Sequence, residues 1–362
     1  PSSPSRTARL FTADGVRGVY RNELTHADVE RLVTAFAGGL WEEAAATGSG
    51  VPARGFPVVV GYDDRPWSVP VAVAAGEALR RTGCETIDVG LVTGPAFRFA
   101  VSHLDAAAGV LATGAGGGPA VAGLDFAGKA GRPLSTGGGL DRLKESFSGR
   151  MNRGGAGRRE FDANIPYEAS LWRHFQSSSI ASCVVGTSSP LVHQRLERVA
   201  KEASISLTVV ELPRRAVDAT GIDTAGISRI AAAVARSGAT FGMWLDEDGT
   251  RFRVLDERGR TLPVADVAGI LIEDALTDRP GATVVVDWEI GDRLCETVLR
   301  RREVARCNGS AESMTISMAD HAAAVGVDSA GRLWLPGQPL ACDGLAALAR
   351  VLRALAGTDT PL

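Results

Sequence analysis

No apolar run in the sequence approaches the ~18 to 20 residues that a bilayer-spanning helix needs, and Pro1 to Arg6 carry no hydrophobic stretch of a secretory signal. These absences predict a protein without a membrane anchor, opened by a disordered tail over residues 1–9. Cys84, Cys183, Cys295, Cys307 and Cys342 are odd in number, scattered and free of any C-x-x-C pair, which excludes an encoded disulfide framework or zinc cluster and points to a reducing, cytoplasmic setting. His26, His103, His174, His193 and His321 show no H-E-x-x-H or other ligand spacing, and nothing suggests a Ser-His-Asp triad. Neither sign of charge dominates: 39 basic and 42 acidic residues leave a net charge of -3, so no global attraction to nucleic acid or anionic lipid is expected. A P-loop and a Rossmann fingerprint are also missing.

What is present is ordinary globular composition, 45% hydrophobic over 362 residues. A chain of that size buries roughly 70 to 75% of its unfolded surface and needs no staple. Short β-branched runs alternate with segments of helical period. Val29, Leu32, Val33, Phe36, Leu40 and Trp41 line one face of a helix predicted over Asp28 to Ala46, followed by a strand at Val58 to Val60, a helix at Val69 to Thr82 and a strand at Thr86 to Val89. The rhythm recurs from Cys183 to Leu245 and again from Val264 onward, with helices predicted at Asp292 to Arg301 and Leu345 to Ala356. This βαβ alternation favours mainly parallel sheets covered by helices, in three tandem α/β domains over residues 10–150, 160–262 and 263–362. The Gly- and Arg-dense stretch Gly149 to Asn164 reads as an exposed linker.

Five segments could carry chemistry. Phe11 to Gly18 is a Gly-flanked turn holding Asp14 and Arg17, and Gly61 to Pro66 places Arg65 at the C-terminal end of a strand, where open α/β sheets put ligands. An Arg in either place is suited to bidentate phosphate contact, and a plain surface turn is the alternative. Gly109 to Pro119 runs a strand into a loop almost devoid of side chains, whose bare amides can form an anion nest or simply confer flexibility. Asp246 and Asp248 flank an acidic turn that could meet a hard cation such as magnesium, or stand solvated. Gly186 to Pro190 could hold a phosphate at a helix start, although N-capping explains it as well.

Taken in order, these segments resemble the α-D-phosphohexomutase family of phosphoglucomutases, phosphomannomutases and phosphoglucosamine mutases. Phe11 to Gly18 is similar to the family's F-G-T-D-G-I-R-G, Val60 to Pro66 to its V-G-x-D-x-R, and Asp88 to Ala96 to the approach to its catalytic loop. Asp246 to Arg251, with Val254 to Gly259, resembles the D-G-D-G-D-R metal loop and V-D-E-x-G. Gly326 to Arg332 falls where the family reads sugar hydroxyls, and Cys342 to Leu345 resembles the D-G-L opening the last helix of domain three. The resemblance covers Leu10 to about Leu355 and implies the family's domains one to three, with the fourth absent. It further implies phosphate-binding roles for Arg17, Arg65, Arg251, Gly116 and Gly117, and a sugar-binding role for Asp328, Ala330 and Arg332.

Family members move a phosphate between sugar carbons through a phosphoserine, with magnesium held by three aspartates and that phosphoserine. Here the serine's place is taken by Ala115 and the neighbouring His by Gly116, with Thr113 a weak substitute hydroxyl. Asp246 and Asp248 remain in the metal loop, but Thr250 replaces the third aspartate, which implies a weakened magnesium site. The expectation is a catalytically degenerate relative that binds a hexose phosphate or another small anion, or acts through a protein partner or a second copy of itself. The alternatives are an active mutase or metal-dependent phosphatase using Asp246 and Asp248, and a purely structural protein.

Overall fold

The computed structural model describes residues 9–48, 50, 52–146, 152–175, 182–218, 221–294, 298–300, 302–337 and 340–356. Of the expected disordered tail, residues 1–8 lie outside the described residues. The chain divides into two compact units, Pro1–Asn164 with Ser310–Glu312, and Ile165–Gly309 with Ser313–Leu362.

The first unit is built on a six-stranded sheet ordered β1-β5-β4-β2-β3-β6, from β1 (Val16–Val19), β2 (Pro57–Tyr62), β3 (Glu85–Leu91), β4 (Ala108–Ala112), β5 (Val121–Ala127) and β6 (Arg158–Glu160). Strands β4, β2, β3 and β6 are parallel, and β5 runs antiparallel to both of its neighbours, β4 and β1. Its helices are α1 (His26–Thr47), α2 (Ser68–Arg81), α3 (Gly94–His103) and α4 (Gly139–Glu145). Helix α1 starts where Thr25 and Asp28 form a reciprocal capping box and stops at Gly48, whose φ of 65° favours glycine. Between these ends Val29, Leu32, Val33 and Phe36 recur at helical spacing and are buried. Every residue of β4 is buried, as befits a strand flanked on both edges.

The second unit contains α5 (Asn164–Trp172) and a four-stranded sheet ordered β10-β9-β7-β8, from β7 (Cys183–Thr187), β8 (Leu207–Glu211), β9 (Phe241–Leu245) and β10 (Phe252–Leu255), with α6 (Pro190–Glu202) and α7 (Thr224–Ser237). It also carries a five-stranded sheet ordered β12-β11-β13-β14-β15, from β11 (Val284–Asp287), β12 (Val304–Cys307), β13 (Val325–Val327), β14 (Leu333–Leu335) and β15 (Ala341–Cys342). Helices α8 (Val264–Asp278), α9 (Trp288–Leu294) and α11 (Gly344–Ala356) complete it, together with α10 (Ala311–Asp320) from Ser313 onward, the first two residues of α10 belonging to the first unit. All three sheets mix parallel and antiparallel pairs; parallel pairs are in the majority in the first two and equal in number to the antiparallel ones in the third, so the chain as a whole is mainly parallel, as the alternation of strand and helix predicted.

Three local expectations are corrected. The helix expected over Asp292 to Arg301 is α9, which begins at Trp288 because Asp287 Oδ1 accepts the Ile290 N–H at 2.8 Å and caps it directly after β11. The stretch expected to be a linker contains β6, paired with β3, and Arg80 Nε donates to the Ala156 carbonyl at 3.0 Å. Its charged side chains hid an edge strand, which needs no buried face. The segment Phe11 to Gly18 is not wholly a turn, since Val16 opens β1 and Arg17 stands on it.

Candidate functional site

The parallel strands β2 and β4 end at the same sheet edge, so the turn bearing Asp63 and Arg65 and the glycine-rich loop 113–118 lie side by side. Thr113 N–H continues the ladder by donating to Gly123 O at 3.0 Å, and Gly123 stands opposite Arg17 on β1. A Cβ on Gly123 would lie 1.9 Å from Val16 O, so this crossing of three strands requires glycine.

Arg65 is 1% exposed. Its guanidinium donates to the carbonyls of Gly117 at 3.0 Å, Gly118 at 2.8 Å and Val121 at 3.1 Å, while Nε faces Asp63 Oδ2 at 3.7 Å. Asp63 in turn accepts the Gly114 N–H at 3.0 Å, the Arg65 N–H at 3.1 Å and the Ser68 hydroxyl. The Asp63 and Arg65 pair therefore holds both ends of the loop. Gly116, at its exposed tip, has a φ of 81°, a conformation that residues with a Cβ avoid.

Arg17 approaches from the other side, donating through Nε to Ala115 O at 3.1 Å and through Nη1 to Asp125 Oδ1 at 2.6 Å. Thr113 is 1% exposed, and its hydroxyl accepts the Ala115 N–H at 3.1 Å. Thus Arg17, Arg65, Thr113, Ala115, Gly116 and Gly117 form one cluster.

The remaining candidates cluster in the second unit. Asp246, after β9, accepts the Thr250 N–H at 2.7 Å and the Arg251 N–H at 3.1 Å on Oδ1, and the Thr250 hydroxyl at 3.3 Å on Oδ2. The neighbouring Glu247 is ion-paired to Arg214. Two backbone contacts tie this acidic turn to the motifs from the third sheet: Arg251 forms a β-bridge with Arg332, and Gly344 N–H donates to Gly249 O at 2.8 Å. Beside them, Phe252 N–H donates to Gly331 O at 2.9 Å and Arg253 Nη1 to Ala330 O at 2.9 Å.

Asp328 and Arg332 meet in a different way from that expected of groups that read a sugar. Asp328 is 1% exposed and accepts the Arg332 N–H at 3.1 Å on Oδ1, and on Oδ2 Arg332 Nε at 2.7 Å and Trp334 Nε1 at 3.3 Å. Arg332 Nη2 reaches Gly309 O at 2.7 Å. The pair closes the turn between β13 and β14.

Burial and the nearby charge of Asp248 push the Asp246 carboxyl up to about 6 from an ordinary 3.8, against the opposing pull of Arg251. Since the folded-state value is the higher one, Asp246 favours the fold fully below pH 3.8, and that contribution is lost as pH rises through about 6. Denaturation midpoints measured across this window should fall with pH in the native sequence, and the Asp246→Asn protein should lack that component of the slope.

Asp125 and Glu312 escaped sequence reasoning. Glu312 Oε2 accepts the N–H groups of Ser135 and Gly139, both at 2.9 Å. A lone Asp in the apolar run Val121 to Ala127 was the available signal for Asp125, but only strand pairing shows which cation it meets.

Residues 8–139 match the family profile of phosphoglucomutase/phosphomannomutase, alpha/beta/alpha domain I. Over 96% of this chain and 77% of the relative, the sequence is 26% identical to a phosphoglucomutase/phosphomannomutase of Thermococcus kodakarensis. A phosphohexose mutase of Xanthomonas campestris pv. campestris is 26% identical over 78% of this chain, which spans 62% of that relative's length. The fold is similar to the crystal structure of a phosphoglucomutase/phosphomannomutase family protein from Burkholderia thailandensis, with a TM-score of 0.81 at 19% identity over 99% of this chain and 78% of that one.

Proposed function

We propose that this chain, whose residues 8–139 match domain I of the phosphoglucomutase/phosphomannomutase family, is a protein of carbohydrate phosphate metabolism that binds a hexose phosphate, or another small anion, without that family's covalent phosphoryl transfer. The observation that carries the reading is the glycine-rich loop. Ala115 stands at the position that the family resemblance gives to the phosphate-carrying serine, and a methyl group has no lone pair with which to attack phosphorus. The loop's one hydroxyl, on Thr113, is buried and engaged with Ala115 N–H, so it is poorly placed to substitute.

Arg17 beside that loop supports the binding half of the proposal, since the guanidinium fork suits a phosphate, whereas Arg65, buried and committed to the Gly117, Gly118 and Val121 carbonyls, shapes the loop instead of gripping a ligand as expected from its motif. Arg251 at the acidic turn is the corresponding cation of the second unit. The oxygen donors of that turn do not fit a resident magnesium ion. Asp246 is already engaged with Thr250 and Arg251 of its own turn, Glu247 belongs to Arg214, and the third carboxylate is a threonine hydroxyl. Magnesium favours an oxygen shell of near-ideal octahedral geometry, which this donor set does not supply.

Incubation with glucose 1-phosphate or mannose 1-phosphate and magnesium is expected to give neither turnover nor a gain in intact mass. Calorimetry is expected to show weak saturable binding of the same compounds. Turnover that vanishes in Asp246→Ala would replace this reading with that of an active, metal-dependent enzyme. Flat calorimetric titrations would remove the binding half.

A further inference from the structure

The strongest cation–anion contact at the glycine-rich loop is internal to the chain. Arg17 Nη1 lies 2.6 Å from Asp125 Oδ1, and the two side chains are only 17% and 18% exposed. The contact follows from register: β1 and β5 pair with Arg17 opposite Gly123, which sets Asp125 two residues along the neighbouring strand and within reach of the long guanidinium. Gly15 leaves the space for it, since a Cβ there would lie 2.2 Å from Asp125 Oδ1. With Nε on Ala115 O, the same guanidinium joins the carboxylate to the loop.

A carboxylate and a phosphate bind a guanidinium through the same planar donors, and they repel each other when both are charged. We propose that Asp125 is a tethered competitor for anions: its carboxylate occupies Arg17, a phosphate reaches Arg17 only by displacing it, and Asp125 thereby sets the anion affinity of the loop. The inference rests on the reading that this loop receives a phosphate, and it deepens that reading by naming the residue that limits it. Such a device discriminates among ligands, because a dianionic phosphate competes with one carboxylate better than a monoanion does.

The test is calorimetric titration of the full chain with inorganic phosphate and with glucose 1-phosphate. The chains compared are the native sequence, Asp125→Asn, Asp125→Ser, and the double substitution Arg17→Ala with Asp125→Asn. Asparagine keeps the shape and an acceptor oxygen but removes the charge, and serine guards against a misfolded first variant. Both single variants are expected to bind at least about tenfold more tightly than the native chain, with the gain lost in the double variant. A gain from an undetectable native affinity supports the competitor while counting against phosphosugar binding by the native chain. Native-level or weaker binding in the folded single variants, alongside measurable native binding, overturns the competitor and leaves the proposed function standing. Absence of binding in every chain overturns both.

Discussion

Arg65→Ala is expected to lower the unfolding free energy by about 3 to 5 kcal/mol, the range found when one partner of a buried ion pair is removed. Arg65 is 1% exposed and supplies donors to three loop carbonyls, those of Gly117, Gly118 and Val121. Alanine would leave those acceptors short of partners and the Asp63 carboxylate without its nearest cation, in a place where water enters poorly. Arg65→Lys should recover only part of the loss, because an ammonium is a point charge and cannot span carbonyls that the fork reaches together. Equilibrium denaturation of the three proteins decides the matter, and a drop below 1 kcal/mol for alanine would show that the loop holds itself. The result bears on function, since an arginine committed to carbonyls arranges the loop before it meets any ligand.

A loss of similar size, about 3 to 5 kcal/mol, is expected for Asp328→Ala. Its carboxylate is the common acceptor for the Arg332 backbone N–H, Arg332 Nε and Trp334 Nε1, all at the turn between β13 and β14. Removing it strands a guanidinium that is only 8% exposed and opens the hairpin that pairs with Arg251 and Phe252. Asp328→Asn keeps one acceptor oxygen and should cost less. Denaturant unfolding of both variants provides the measurement. Stability within 1 kcal/mol of the native chain for alanine would mean that the ion pair is dispensable and would return Asp328 to the role of a ligand contact.

These two residues show how much of the site was legible in the chain. Both were picked out from their motifs, and both lie in turns at the ends of strands. Their hydrogen bonds were not legible, because a motif states which residue type occurs at a spacing and says nothing about how a turn folds the Trp334 indole onto Asp328 or which carbonyl comes from about 50 residues away, as Gly117 meets Arg65. Asp125 is the stronger case. Within Val121 to Ala127 it is a single charge in a buried strand, and its partner 108 residues distant is set by pairing of β5 with β1.

The amino-acid sequence alone determined the element types, since helical spacing in Val29 to Phe36 and the β-branched run Val58 to Val60 each permit one way of burying apolar surface. It also determined that Ala115, at the position that the family resemblance gives to the nucleophile, carries only a methyl group, which no folding can turn into a hydroxyl. Tertiary structure alone decided where α9 begins, that Arg158 to Glu160 complete a sheet, and that Arg17 and Arg332 are each engaged by a carboxylate of the same chain. The physical reason is that apolar periodicity is a local property of the chain, whereas the partner of a charge is chosen by strand register, as for Arg17 and the distant Asp125, or by the turn geometry that folds Arg332 back onto Asp328.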